Sequence, residues 1–202
     1  MRGFEISSAG QKLVPPFPMS ELLRELLPKL TDDELMSFLR QWVAEGIPFV
    51  FRQCPLIYEC LRSWMGRRLR VEPRNITVIG SGRLGWSLCS GTDFGKPYGG
   101  RSDLDFAIVC ERLFANVVAD FDLWKSKIQR GEEQFANKFG QENLDRLPAN
   151  IERGFIDPFK IDHHRYLEHA SLITNTEDYG RQHVTVYRKC ASREKGVRAS
   201  IC

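Results

Sequence analysis

A chain of 202 residues that is 42% hydrophobic, 27% charged and 11% aromatic holds enough apolar surface for a folded core, which excludes wholesale disorder and fibrous repeats. Its 29 basic and 26 acidic side chains leave a formal charge of +3, too small by itself to signal nucleic-acid or membrane binding, although Phe51 to Arg101 carries nine basic against three acidic groups. No apolar run approaches the ~20 residues that span a bilayer, no hydrophobic leader opens the chain, and six cysteines lie scattered with no CxxC pair; a cytoplasmic protein with reduced thiols and no membrane partner is expected.

Gly3, Gly10, Pro15, Pro16 and Pro18 mark residues 1–19 as a loosely draped N-terminal arm. A single domain is expected over 20–202, opening with a helical layer at 20–70. Ser20 reads as the N-cap of a short helix with leucines at 22, 23, 26 and 27, stopped by Pro28. Thr31-Asp-Asp-Glu34 is a capping box, after which Leu35, Phe38, Leu39, Trp42 and Val43 share one helical face as far as Gly46. A third helix runs from Pro55 to Leu69, with Leu56, Tyr58, Leu61, Trp64 and Met65 as its apolar side and Arg67, Arg68 and Arg70 at its C-terminal end, where cations oppose the helix dipole.

From Asn75 the period changes. Ile76-Thr-Val-Ile79 and Leu104-Asp-Phe-Ala-Ile-Val109 read as buried strands, separated by a helix-compatible patch at Arg83–Leu88 and a Gly-rich loop. Leu113–Arg130 is a helix with Phe114, Val117, Val118, Phe121 and Trp124 as its apolar side, which Glu132–Phe139 extends or follows, and Glu142–Arg153 is a weaker helix. After a turn-rich connection at Gly154–Lys160, Val184-Thr-Val-Tyr187 reads as a third strand. The fold class expected is α/β: a small mixed β-sheet with helices before and after it.

Two features carry chemistry. Gly80-Ser81-Gly82-Arg83-Leu84-Gly85 follows the first strand directly, and Ser102-Asp103-Leu104-Asp105 opens the second. A strand–Gly-Ser–helix corner offers free backbone N–H groups, a hydroxyl and a positive helix end, which suit a phosphate chain. In an extended strand Asp103 and Asp105 point to one face, so two hard carboxylates are able to share a Mg²⁺ or Mn²⁺ ion. Arg83, Lys96 and Arg101 flank the corner as candidate phosphate contacts, Trp86 lies close enough for base stacking, and Arg67, Arg68, Arg70 and Arg74 form a cluster able to steer an RNA acceptor.

This arrangement resembles the nucleotidyltransferase superfamily typified by DNA polymerase beta, closely over residues 75–110. The resemblance implies that Gly80 and Ser81, with Arg83 beside them, bind the triphosphate of an NTP, and that Asp103 and Asp105 are catalytic metal ligands. It implies transfer of a nucleoside monophosphate to a protein or RNA acceptor with release of pyrophosphate. It also implies membership of the small stand-alone bacterial relatives found in toxin–antitoxin and anti-phage modules, with a partner protein from the same module. The family places a third carboxylate on a later strand, but His183–Arg188 carries no acid; Asp157, Asp162 and Glu194 are the nearby candidates. A catalytically silent domain that binds a nucleotide or docks on a partner is the competing expectation.

Overall fold

The computed structural model describes residues 5–13, 17–89, 91–99 and 102–197, which form a mixed α/β structure, mostly helical, with a two-stranded antiparallel sheet. The chain divides into two compact units, one comprising Met1–Ser63 with Pro73–Ile108 and the other Trp64–Glu72 with Val109–Cys202.

The first unit begins with the arm. Ser7 donates its N–H and its hydroxyl to the two oxygens of Glu34, at 2.6 and 2.8 Å, while Glu34 Oε2 also accepts from Thr31 N at 2.9 Å. Thr31 Oγ1 returns the bond from Glu34 N at 3.3 Å, so the capping box read from the sequence is present and its carboxylate ties down the arm as well. Helix α1 (Ser20–Leu26) buries Leu23 and Leu26 as its stripe predicts, but its N-cap is Met19, and Ser20 is a buried first-turn residue with no side-chain cap. Helix α2 (Asp32–Phe38) widens into a π-helical segment, Leu39–Glu45, closed by an i→i+5 bond from Gly46 N to Gln41 O. The wider turn leaves Leu39 exposed instead of on the apolar face expected for it, and stacks Trp42 on Phe38 with ring centroids 5.0 Å apart. Leu23, Phe38, Leu84 and Trp86 form a core cluster that Leu13, Trp42 and Phe94 cover.

Helix α3 (Pro55–Leu69) has the expected bounds. Tyr58, Leu61, Met65 and Leu69 are its buried stripe, whereas Leu56 faces solvent. Strands β1 (Ile76–Ile79) and β2 (Asp105–Ile108) pair antiparallel, from Ile76 opposite Ile108 to Ile79 opposite Asp105. Helix α4 follows β1 without a break and is limited to Gly80–Leu84, earlier and shorter than the Arg83–Leu88 patch, because Gly85 ends it in the left-handed conformation. The loop beyond folds back on itself through Ser87 N to Lys96 O, Gly95 N to Ser87 O and Tyr98 N to Gly85 O, all at 2.8–2.9 Å.

The second unit is helical. Arg112 donates Nη2 to the carbonyls of Leu69 and Arg70 at 2.9 and 3.3 Å, capping the C-terminal turn of α3. Helix α5 (Glu111–Gln129) buries Leu113, Val117, Phe121 and Trp124, while Phe114 and Val118 are only half-buried. Residues 132–139 are irregular and do not extend it, and α6 is Gly140–Glu152. The irregular segment is organised around the buried Asp162 carboxylate, which accepts from Ala136 N at 3.1 Å and Asn137 Nδ2 at 2.7 Å.

The third strand is the main correction. Val184–Tyr187 lies inside α7 (Glu168–Val197), so the sheet among the described residues is two-stranded and antiparallel, and not mixed. The β-branched run loses only a few tenths of a kcal/mol per residue in a helix, and a helix already nucleated at Glu168 adds a bond for each residue that it extends. Val184 also continues the buried series Ala170, Ile173 and Glu177 at helical spacing. The nucleating end is held by buried Asp120 of α5, which accepts from His169 N at 2.9 Å and Ala170 N at 2.7 Å and sits 3.3 Å from His169 Nδ1.

Two outcomes follow from these ties. Asp120→Ala leaves two backbone donors at the start of α7 unpaired and is expected to cost about 1–3 kcal/mol, read as a lowered urea midpoint with loss of helical circular dichroism. At the arm, hydrogen bonds from the Thr31 and Ser7 backbone and side chains hold the Glu34 carboxyl below its ordinary value of 4.5, so its tie is present above that pH and is lost as pH falls through the lowered value. The amide of Ser7 is therefore expected to be protected from hydrogen exchange at neutral pH and to lose that protection in acid or in Glu34→Gln.

Candidate functional site

Antiparallel pairing brings the two motifs together. Gly80 is the residue after β1 and has φ of +64°, a conformation that opens the chain into α4 and that residues with a Cβ adopt at a cost of roughly 1–2 kcal/mol. Because Ile79 pairs with Asp105, the Asp105 carboxylate lies beside this turn: a Cβ at Gly80 would stand 3.4 Å from Asp105 Oδ2. Gly82, two residues on, lies so close to Leu104, Val78 and Tyr98 that a Cβ there would meet Leu104 Cδ1 at 3.1 Å. Glycine at 80 thus permits the turn, and glycine at 82 permits α4 to lie against the two strands.

Asp103 precedes β2, which begins one residue later than the expected Leu104, yet the alternation holds: Asp103 and Asp105 are exposed while Leu104 and Phe106 are buried. Ser102 steadies the approach, exchanging bonds with Gly99 through its amide and its hydroxyl, both at 3.0 Å. Ser81 is half-exposed at the first turn of α4, where the leading N–H groups have no intrahelical acceptor. Gly80, Ser81 and Asp105 therefore form one exposed corner, with Asp103 at the entry to the same strand.

Arg83 behaves differently from the expectation. Its side chain is 2% exposed and turns inward, donating Nε to Trp42 O at 3.0 Å and Nη1 to Thr77 Oγ1 at 3.4 Å. Thr77 Oγ1 in turn lies 3.1 Å from Ala44 O and accepts from Tyr58 OH at 3.4 Å. Arg83 is thus withdrawn from contact with a ligand at the corner and joins α4 and β1 to the carbonyl end of the π-helical segment. Sequence reasoning missed Thr77 and these carbonyls. The available signal was alternation in β1, which puts Thr77 on the face opposite buried Ile76 and Val78.

Trp86 is buried with Nε1 donating to Pro18 O at 3.1 Å, so it packs the core and is not a stacking platform. Lys96 is exposed and stands 3.6 Å from Asp93, a pairing of little energetic weight. Arg68 donates to Thr176 Oγ1 at 3.1 Å within the second unit, and Arg101 lies outside the described residues.

Of the candidate third acids, Asp157 accepts from Phe159 N at 3.0 Å as a turn cap and Asp162 is spent on residues 136 and 137. The side chain of Glu194 lies outside the described residues. Among the described residues, no group of three or more His, Cys, Asp or Glu side chains is placed to hold a metal ion.

None of the protein-family models, curated proteins or solved structures compared with the chain matches it.

Gly80→Val tests the corner directly. Positive φ with a branched Cβ is expected to cost at least about 1–2 kcal/mol of unfolding free energy, measured by urea denaturation. An unchanged midpoint would show that this turn is not built as described.

Proposed function

We propose that the exposed corner of Gly80, Ser81, Asp103 and Asp105 binds a nucleoside triphosphate with Mg²⁺ or Mn²⁺, and that the protein transfers the nucleoside monophosphate to a hydroxyl of a protein or RNA acceptor. The observation that carries this reading is the β1–β2 register, which sets the Asp105 carboxylate against the Gly80 turn. Leading amides of α4 and the Ser81 hydroxyl are donors for phosphate oxygens, and two exposed carboxylates are hard oxygen ligands of the kind such a cation takes. Asp103 and Asp105 would hold the ion, which when bound neutralises phosphate charge. In the transfer the acceptor oxygen bonds to the α-phosphorus as its hydroxyl proton passes to water, the bond to the bridging oxygen breaks, and pyrophosphate leaves with the electron pair. By its resemblance the protein belongs with cytoplasmic toxin–antitoxin or anti-phage systems. Among the described residues no helix is long and apolar enough to cross a membrane.

A second reading, nucleotide binding without transfer, is favoured by one observation: residues 184–187 are helical, so the family's third, acid-bearing strand is not supplied by that segment. Two carboxylates hold a nucleophile-side metal poorly without further ligands.

Incubation with labelled NTPs, Mg²⁺ or Mn²⁺ and a bacterial extract separates the readings. Transfer labels a macromolecule and releases pyrophosphate, and Asp105→Asn stops both. Silent binding raises the thermal midpoint with NTP and Mg²⁺ without turnover. Under either reading, Asp103→Ala combined with Asp105→Ala is expected to abolish Mg²⁺-dependent NTP binding while circular dichroism stays unchanged. Undiminished binding by the double variant would sink the site.

A further inference from the structure

The N-terminal arm is clasped at one end and covers the core with the other. Glu34 of α2 accepts from Ser7 N at 2.6 Å and from Ser7 Oγ at 2.8 Å. From Ser7 the chain winds through consecutive turns, with Gln11 N donating to Ser7 O at 2.9 Å, Lys12 N to Ala9 O at 3.1 Å and Leu13 N to Gly10 O at 3.0 Å. Gly10 N also donates to Ser7 Oγ at 3.1 Å. Residues 7–13 are therefore one hydrogen-bonded piece, and Gly10 lies so near the clasp that a Cβ there would collide with Glu34 Oε1. The far end of the piece is Leu13, which packs on the cluster of Leu23, Phe38, Leu84 and Trp86. Further along the arm Pro18 is buried, and its carbonyl accepts from the Trp86 indole at 3.1 Å.

Leu84 is the last residue of α4, Gly85 stops the helix in the left-handed conformation, and Trp86 follows. A five-residue helix is too short to hold itself in water, because nucleation costs more than one turn of bonds returns, so α4 keeps its shape through the residues packed on it. Leu13 is one of these, and the Ser7–Glu34 bonds fix the piece that carries it. Those bonds gather on a single half-buried carboxylate, so they open locally without unfolding of the unit. We infer that residues 7–13 are a strap: closed on Glu34 they cover the end of α4, and released from Glu34 they free Leu84, Gly85 and Trp86 to move, loosening the helix that begins at Gly80. The device regulates the mobility of the corner, and it stands whether or not the corner takes a ligand. Coupling between the two ends of the strap is reciprocal, so the cover at Leu13 protects the clasp as the clasp protects the cover.

The test is hydrogen exchange of the full chain, read by NMR at the Ser7 amide, at the Gly85 amide, which donates to Ser81 O at 2.9 Å, and at the Trp86 indole N–H. Gly10→Ala displaces the Glu34 carboxylate sterically and Glu34→Gln weakens it as an acceptor; each is expected to speed exchange at all three groups by about fivefold. Thr31→Ala removes the hydroxyl that caps α2 but leaves both Ser7 bonds in place, and is expected to stay within about twofold of wild type at Gly85 and Trp86. Leu13→Ala is expected to speed exchange at the Ser7 amide in turn. If Gly10→Ala does not fold, Glu34→Gln decides, since glutamine is also favoured at the third helical position of a capping box. Wild-type exchange at Gly85 and Trp86 in a variant whose Ser7 amide has opened, or at Ser7 in Leu13→Ala, would overturn the inference and leave the arm uncoupled from α4. An acceleration by Thr31→Ala equal to that by Glu34→Gln would overturn it too, because general loosening of α2 would then account for both. A Ser7 amide that stays protected in Gly10→Ala and in Glu34→Gln would show that the clasp does not hold the arm and would remove the strap with it.

Discussion

Four antiparallel pairs, from Ile76 with Ile108 to Ile79 with Asp105, govern the chemistry of the first unit. A ladder of period two allows no intermediate register: sliding β2 by one residue would turn Asp103 and Asp105 inward and bring Leu104 and Phe106 to the surface. Burial of those two apolar side chains therefore fixes the acids on the outside, and pairing with β1 fixes Asp105 against the turn that Gly80 makes. Core packing and site geometry are two consequences of one alignment.

The polar interior of this unit complements that alignment. Thr77 lies on the β1 face opposite Ile76 and Val78, and there it gathers Tyr58, Arg83 and the carbonyl of Ala44. The last carbonyls of a helical segment have no partners within it. Here Trp42 and Ala44 obtain theirs from Arg83 and Thr77, so the end of the helical layer is bound to the strand and to the corner helix by side chains. The second unit uses the same device in reverse, with the carboxylate of Asp120 satisfying the leading amides of α7.

Local signals were legible where local physics decides. The Thr31–Glu34 box, the bounds of α3 and the β-branched run of β1 are each set by neighbours in sequence, and each was readable there. The pairing of the Gly-Ser corner with the acidic strand was readable as motif order. Its geometry needed the register. Val184–Tyr187 misled because four residues of strand-like composition carry no information about the helix already running through them from Glu168. Arg83 misled for another reason: an arginine beside a phosphate-like turn reads as a contact, and only the position of Thr77 and the widened segment at 39–45 shows that its fork has acceptors inside. Arg112 and Asp162 were unreadable in the same sense, since what they cap lies far away in sequence.

The π-helical segment has an implication for how this sequence tolerates insertion and deletion. A π turn spends about one residue more than an α turn to cover similar ground, so Leu39–Glu45 holds a spare residue in an otherwise ordinary helical path. Excising one residue there would let the segment tighten into an α-helix that still joins the same ends, an indel the backbone absorbs with little disturbance. The carbonyls facing Arg83 and Thr77 would rotate away as it tightened. Chain length at this point thus decides whether the helical layer is tied to β1 and α4, and a sequence one residue shorter between Leu39 and Glu45 would keep the architecture while giving up the bonds from Arg83 and Thr77.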